Sequence, residues 1–322
     1  MTTTDRSAGV TVLPMPDLSP TFPGPFPSSP HADHIQAHVG QWLHRFPLLG
    51  PPDARRTLCD IVAHGVARTF PTAEPDGLFL CADLFLWLTA FDDTYGEATA
   101  AGSPAQLVRR IQGCLHVLAD GEPPGDADPF DEALQDLLVR LRTRATAAQY
   151  LRVSCCLRDV LFGILWEAHH LAEPDHVRLH DYLAMRPHTV LVRTLIAVAE
   201  VVLRYELPEE ARNSQAVRQA ESAVADLAGV LNDLGSYARE SAKGVPNSLN
   251  LVSLITREQS CDIPTAYAAA SLLGEEHAAA ARHGIGALAT SDSAPLTEHA
   301  GALESIACSY IWHINHARYK KA

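Results

Sequence analysis

The sequence predicts an all-α protein, on three observations. Long segments rich in Ala, Leu, Val, Arg and Glu repeat their apolar residues with a helical period. Short loops rich in Pro, Gly, Ser and Asp separate these segments. No run alternates apolar and polar residues as a half-buried strand does. Hydrophobic residues make up 47% of the 322, enough for one large core.

Residues 1–30 are dense in proline and read as a Pro-rich strap or a disordered tail. Residues 31–322 read as one helical domain, with no internal repeat and no dividing linker. The first helix starts near Pro30-His31, and the second spans about 51–69. A third, at about 76–95, contains the mostly apolar run from Phe79 to Phe91. Helices at about 103–119 and 129–145 flank the break Pro123-Pro124-Gly125-Asp126, and another follows at about 147–171. The segment at about 178–206 contains Pro187. Proline removes a backbone donor and disfavours helical geometry in the residue before it. A kink at Pro187 and a helix beginning there are both open readings. The helix at about 209–240 contains the run from Ala223 to Leu231, which reads as buried, and Ser241 to Pro246 closes it. Helices at about 249–257, 262–284 and 294–320 complete the chain. The last is entered through Ser291-Asp-Ser-Ala-Pro295.

The formal net charge is -13. It argues against a nucleic-acid partner, which needs a basic stripe. It leaves room for an anionic substrate, because metal ions and a few placed arginines set the local field. The polar, Pro-rich start has no apolar signal-peptide core. The most apolar stretch, Thr189 to Leu203, contains Arg193 and Glu200 and is no membrane span. Cys59, Cys81, Cys114, Cys155, Cys156, Cys261 and Cys308 fit no zinc or redox spacing. They read as free, mostly buried thiols of a cytoplasmic protein.

Two polar motifs interrupt the apolar pattern. Asn232, Ser236 and Glu240 recur every four residues, which on a helix places them on one face with a drift of about 40° per step. An amide oxygen, a hydroxyl and a carboxylate are hard oxygen ligands that suit Mg²⁺. The alternative is a solvated face at the helix end. Upstream, Asp92, Asp93 and Glu97 follow the apolar run that ends at Phe91. Three carboxylates there repel one another, and a helix C-terminus is the wrong end for acids. Divalent cations relieve both problems. The alternative is a helix end running into solvent.

These motifs, in this order and at this distance, resemble those of the class I terpene synthases (terpene cyclases), in particular the bacterial ones. The resemblance spans about residues 26–319 and includes the opening Phe26-Pro27 and Pro30-His31-Ala32. It implies a helical bundle around a central cavity, with residues 31–322 as the family's α-domain and the two motifs facing each other across its mouth. It implies three Mg²⁺ ions, held by Asp92, Asp93 and Glu97 on one side and by Asn232, Ser236 and Glu240 on the other. It implies a prenyl diphosphate substrate. Arg186, 46 residues before Asn232 (232 − 186), stands where the family senses the diphosphate. Arg318-Tyr319 matches a pair that reaches the same group. Thr189 and Val190 occupy the positions that link the sensor to a triggering carbonyl. Some relatives carry Asp-Gly there, but any residue supplies a carbonyl. Arg239 and Lys243 flank the second motif, as diphosphate contacts or as solvated helix charges.

The reaction implied is Mg²⁺-dependent ionisation of a linear prenyl diphosphate and cyclisation of the cation to a sesqui- or diterpene. Farnesyl diphosphate is the first choice and geranylgeranyl diphosphate the second. Phe85, Trp87, Phe91, Trp166, Tyr310 and Trp312 are candidates for the cavity wall, where aromatic faces stabilise a cation, or for plain core. Phe91 leads because it precedes Asp92. Gly235 either enlarges the cavity or sits on a face away from it. His169 and His170 have no ligand partner at i+4 and read as structural or surface residues. Two other functions compete. A prenyl-chain-elongating transferase is expected to carry aspartate-rich motifs on both helices. A non-catalytic helical isoprenoid-binding protein is the other. The resemblance also admits a homodimer.

Overall fold

The computed structural model describes residues 13, 15–50, 52–96, 104–123, 125, 127–171, 173–242 and 249–314, with the side chains of 104 and 238–242 outside that description. Helices are the only regular secondary structure among the described residues, with no strand. The first helices are α1 (Ala32–Arg45), α2 (Pro52–Thr69) and α3 (Pro75–Phe91), and a π-helical turn, Asp92–Gly96, follows. Then come α4 (Pro104–Asp120), α5 (Pro129–Arg144), α6 (Ala147–His170), α7 (Leu179–Thr189), α8 (Val192–Leu203) and the short α9 (Glu209–Arg212). The chain continues through α10 (Gln215–Ala242), α11 (Leu251–Gln259), α12 (Ile263–Ala289) and α13 (Ala294–His313).

Local chemistry sets many of these boundaries. Asp128 caps α5 by accepting from Phe130 N and Asp131 N, and Thr146 and Gln149 form a reciprocal capping box on α6. Asn250 and Asp262 cap α11 and α12. Helix α3 is apolar on every face, so it is buried on every face. It packs against α1, α2, α5 and α8. The long α10 lies along α12 and α13.

Three expected helices differ in the structure. The segment expected at 178–206 is two helices, α7 and α8. Pro187 sits inside α7, and the break comes at Val190–Leu191, with Leu191 in the left-handed region at φ 66°. That backbone conformation is costly for a β-carbon residue. The helix expected at 76–95 gives way after Phe91 to the π turn. The helix expected at 209–240 is interrupted at Asn213–Ser214, leaving α9 and α10.

The N-terminal strap, where described, lies against the helices. Leu18 and Phe22 are buried, the Arg282 guanidinium stacks on the Phe22 ring at 4.3 Å, and Arg282 Nε donates to the Thr21 carbonyl at 2.9 Å. Glu200, the charge inside the apolar α8, is 1% exposed and is held by Arg152 and Arg212. No helix among the described residues is long and apolar enough to cross a membrane.

Candidate active site

The π turn is the first wall of the site. A π turn adds a residue to the helical ring and re-aims the side chains that follow. Asp92 and Asp93 both line one cavity. Their turn is clamped from behind. Tyr95 donates its hydroxyl to Asp128 Oδ2 at 3.1 Å, and the Arg110 guanidinium contacts Asp128 and Asp131 at 2.8 Å each. Burial first, and the Asp128 carboxylate second, push the Tyr95 phenol up to about 12, so it remains a donor at neutral pH. Gly96 ends the turn. A β-carbon there would lie 2.3 Å from Asp92 Oδ1, so the glycine gives the carboxylate its place.

Helix α10 forms the facing wall. Asn232 lines the same cavity. Ser236 is 2% exposed, and its Oγ points toward the Asp233 carbonyl at 3.5 Å, the far edge of hydrogen-bond range. Arg186 of α7 ties the two helices together. It donates to Asn232 Oδ1 at 2.7 Å and to Thr189 Oγ1 at 2.8 Å, and pairs with Asp233 Oδ1 at 2.8 Å. Asp233 is itself fixed by the Tyr182 hydroxyl at 2.8 Å and by Leu251 N at 3.2 Å. Gly229, one turn before Asp233, lets the arginine stem cross α10, because a β-carbon there would lie 2.9 Å from Arg186 Cγ.

The break between α7 and α8 supplies the third wall. Thr189 and Val190 line the cavity, and the Val190 carbonyl accepts the Tyr310 hydroxyl at 2.9 Å in a buried hydrogen bond. The cavity they enclose has a volume of about 140 Å³. A small apolar recess of about 30 Å³ adjoins it and shares Ile61, Phe85, Tyr310 and His313 with the polar mouth.

Helix register sorts the aromatic candidates. Phe85, Thr89, Asp92 and Gly96 line the cavity at helical spacing. Trp87 and Phe91 fall on the opposite face, and the structure corrects their assignment to the wall. Trp87 is fully buried and donates its indole N–H to the Phe130 carbonyl at 2.9 Å, while Phe91 packs between Trp87 and Phe130. The same reasoning corrects Trp166 and Trp312. Ile164, Glu167 and Leu171 face the cavity, whereas Trp166 packs on His170 at 4.6 Å. Tyr310 and His313 face it, whereas Trp312 lies under the Arg68 guanidinium at 4.2 Å. Gly235 does not enlarge the cavity. A β-carbon there would lie 3.3 Å from Ile314, so the glycine admits the end of the chain's last described segment.

Sequence reasoning passed over Asp233, Tyr182, Gly229, Glu167 and His313. Asp233 adjoins a motif residue, so its position could have nominated it, whereas Glu167 stands out only once Ile164 is seen to line the cavity. Glu97, Lys243, Arg318 and Tyr319, and the side chains of Arg239 and Glu240, lie outside the described residues.

Residues 83–279 match the family model described as terpene synthase family 2, C-terminal metal binding. The chain is 57% identical over 309 residues to (12E)-labda-8(17),12,14-triene synthase of Streptomyces anulatus, covering 96% of each chain. It is 50% identical over 311 residues to the Streptomyces cyslabdanicus enzyme of the same name, covering 97% of this chain and 94% of that one. The fold matches linalool/nerolidol synthase from Streptomyces clavuligerus, solved in complex with 2-fluorogeranyl diphosphate, with a TM-score of 0.80 at 23% identity. That match covers 92% of this chain and 98% of the other.

Proposed function

Because the chain belongs to the bacterial class I terpene synthases, lyases that act on prenyl diphosphates, we propose that its substrate is a C20 diphosphate that already carries two rings. The observation behind this reading is a polar mouth, lined by Asp92, Asp93, Arg186 and Asn232, above an apolar recess. The names of the two relatives supply the carbon skeleton. A labdane is a bicyclic C20 hydrocarbon. Its 12,14-diene is what remains when a 13-en-15-yl diphosphate loses its leaving group from C15 and a proton from C12. The 8(17) double bond is left by an earlier, proton-initiated ring closure, which is not the chemistry of an ionising site. Labda-8(17),13-dien-15-yl diphosphate therefore takes the place of the farnesyl diphosphate that the sequence put first. The reaction is an elimination: the C15–O bond breaks, the C12–H bond breaks, and the released diphosphate takes the proton.

The donor set fits divalent metal. Asp92, Asp93 and Asn232 offer hard oxygen donors to one cavity. In this reading three Mg²⁺ ions are held by Asp92, Asp93 and Glu97 and by Asn232, Ser236 and Glu240. When bound, such ions stabilise the negative charge that grows on the leaving diphosphate. Arg186 donates to diphosphate oxygens with a fork already oriented by Asn232, Asp233 and Thr189. The same role is assigned to Arg239, Lys243, Arg318 and Tyr319 from the family resemblance. The Val190 carbonyl presents partial negative charge to the allyl cation, and the face of Phe85 shields that cation from water. The free thiols support a cytosolic setting.

The test is incubation of the purified protein and Mg²⁺ with farnesyl, geranylgeranyl and labda-8(17),13-dien-15-yl diphosphates in separate reactions. Gas chromatography–mass spectrometry then identifies the hydrocarbons. A labdatriene from the bicyclic substrate supports the reading. A cyclic sesquiterpene from farnesyl diphosphate, with the bicyclic substrate untouched, refutes it.

A further inference from the structure

Gly65 lies in the interior of α2, where alanine is the more stable residue. Two structural reasons justify a helical glycine, and neither holds here. Its φ is not in the left-handed region, and no described neighbour crowds it. A β-carbon at Gly65 would meet nothing within 4 Å among the described residues. The same is true of Gly40, Gly50, Gly125, Gly286 and Gly301, which are all exposed to solvent. Among these described glycines Gly65 alone is half-buried. The space over its Cα is the apolar recess, which it lines with Ile61, Val66, Phe85, Leu195 and Tyr310. The Gly65 carbonyl is held by Thr69 Oγ1 at 3.0 Å and Ser309 Oγ at 3.3 Å, which fixes α2 against α13 at this point.

We propose that Gly65 determines substrate specificity: the missing side chain leaves width where the recess joins the main cavity, on the side against which the two rings of a C20 diphosphate sit. The proposal rests on the reading of the substrate given above. A linear chain is thinner than a fused bicycle and loses less when the recess narrows. The glycine thus gives up helix stability to keep width at the base of the cavity.

The test compares the full-length wild type with Gly65→Ala, Gly65→Leu and, as a control, Gly286→Ala on the exposed face of α12. Labda-8(17),13-dien-15-yl diphosphate is the substrate. Farnesyl diphosphate, with the same headgroup on a shorter linear chain, is followed as a competitor. Gly65→Leu is expected to lower kcat/KM for the bicyclic substrate about 10- to 100-fold, the range for overfilling a packed site. The Ki of farnesyl diphosphate stays within about threefold, because its headgroup contacts are untouched. Both alanine variants raise Tm by about 2 °C, and only Gly65→Ala lowers kcat/KM. Full bicyclic activity in a folded Gly65→Leu protein overturns the proposal. Equal losses for both ligands overturn it too, since the effect is then not on width. A wild type that makes no labdatriene overturns the substrate reading first and the role of Gly65 with it. If Gly65→Leu does not fold, Gly65→Ala decides: greater stability with unchanged activity overturns the proposal.

Discussion

Gly96 and Arg186 show how much of this site depends on single side chains, one of them absent. Asp92 Oδ1 occupies the place a β-carbon of residue 96 would take. Gly96→Ala is therefore expected to displace the Asp92 carboxylate and weaken Mg²⁺ binding about tenfold or more. Calorimetric titration of Mg²⁺ in the presence of inorganic diphosphate measures this without substrate. Unchanged affinity would separate Asp92 from metal binding. Arg186 reaches Thr189, Asn232 and Asp233 through both terminal nitrogens. Lysine carries the charge but not the fork, so Arg186→Lys is expected to lower kcat/KM about 100-fold. A loss under about threefold would make the arginine a structural pair of Asp233. Asp92 and Asn232 were legible from residue type and spacing, whereas Arg186 was named only by the family resemblance. Trp87 and Phe91 were misassigned because proximity to Asp92 was used where register decides. Residues three and seven before Asp92 share its face, whereas Phe91 and Trp87 do not.

At the scale of elements, the π turn and the break between α7 and α8 are positioned by hydrogen bonds from other helices. Tyr95, Asp128 and Arg110 hold the turn against α5 and α4. Tyr310 of α13 holds the carbonyl of Val190 beside the strained Leu191. Tyr310→Phe removes that donor and leaves a buried acceptor, which costs about 1–3 kcal/mol. It is expected to lower kcat about tenfold while KM changes little, because the diphosphate contacts remain. A raised KM at unchanged kcat would contradict this account. In α8, the buried Glu200 stands between Arg152 and Arg212. Glu200→Ala leaves both guanidinium groups without their shared partner and is expected to cost about 3 kcal/mol of stability. Urea denaturation reads that cost, and a shift below about 1 kcal/mol would show the triad to be dispensable. Helix existence was legible from period and loop composition. The positions of the breaks were not. Pro187 is a conspicuous breaker, yet it lies within α7, and the chain turns four residues later at a leucine. The tertiary contact of Tyr310 on Val190 and the local contact of Arg186 on Thr189 hold that geometry.

For the whole molecule, the all-α architecture followed from hydrophobic period and from the absence of strand pattern. The two motifs, 140 residues apart from Asp92 to Asn232 (232 − 92), were expected to face one another, and Asp92 and Asp93 of the first line one cavity with Asn232 of the second. Cavity width was not legible. It depends on which glycine faces open space and which faces a neighbour, and Gly65 and Gly235 look alike in sequence. Substrate choice is accordingly a property of the assembled recess, and it is the central claim here. A one-pot competition tests it most directly. Equimolar farnesyl, geranylgeranyl and labda-8(17),13-dien-15-yl diphosphates are mixed with limiting protein and Mg²⁺, and product ratios give the ratios of kcat/KM. The account predicts that the labdatriene dominates by about 100-fold or more. A mixture dominated by products of either linear diphosphate would contradict it.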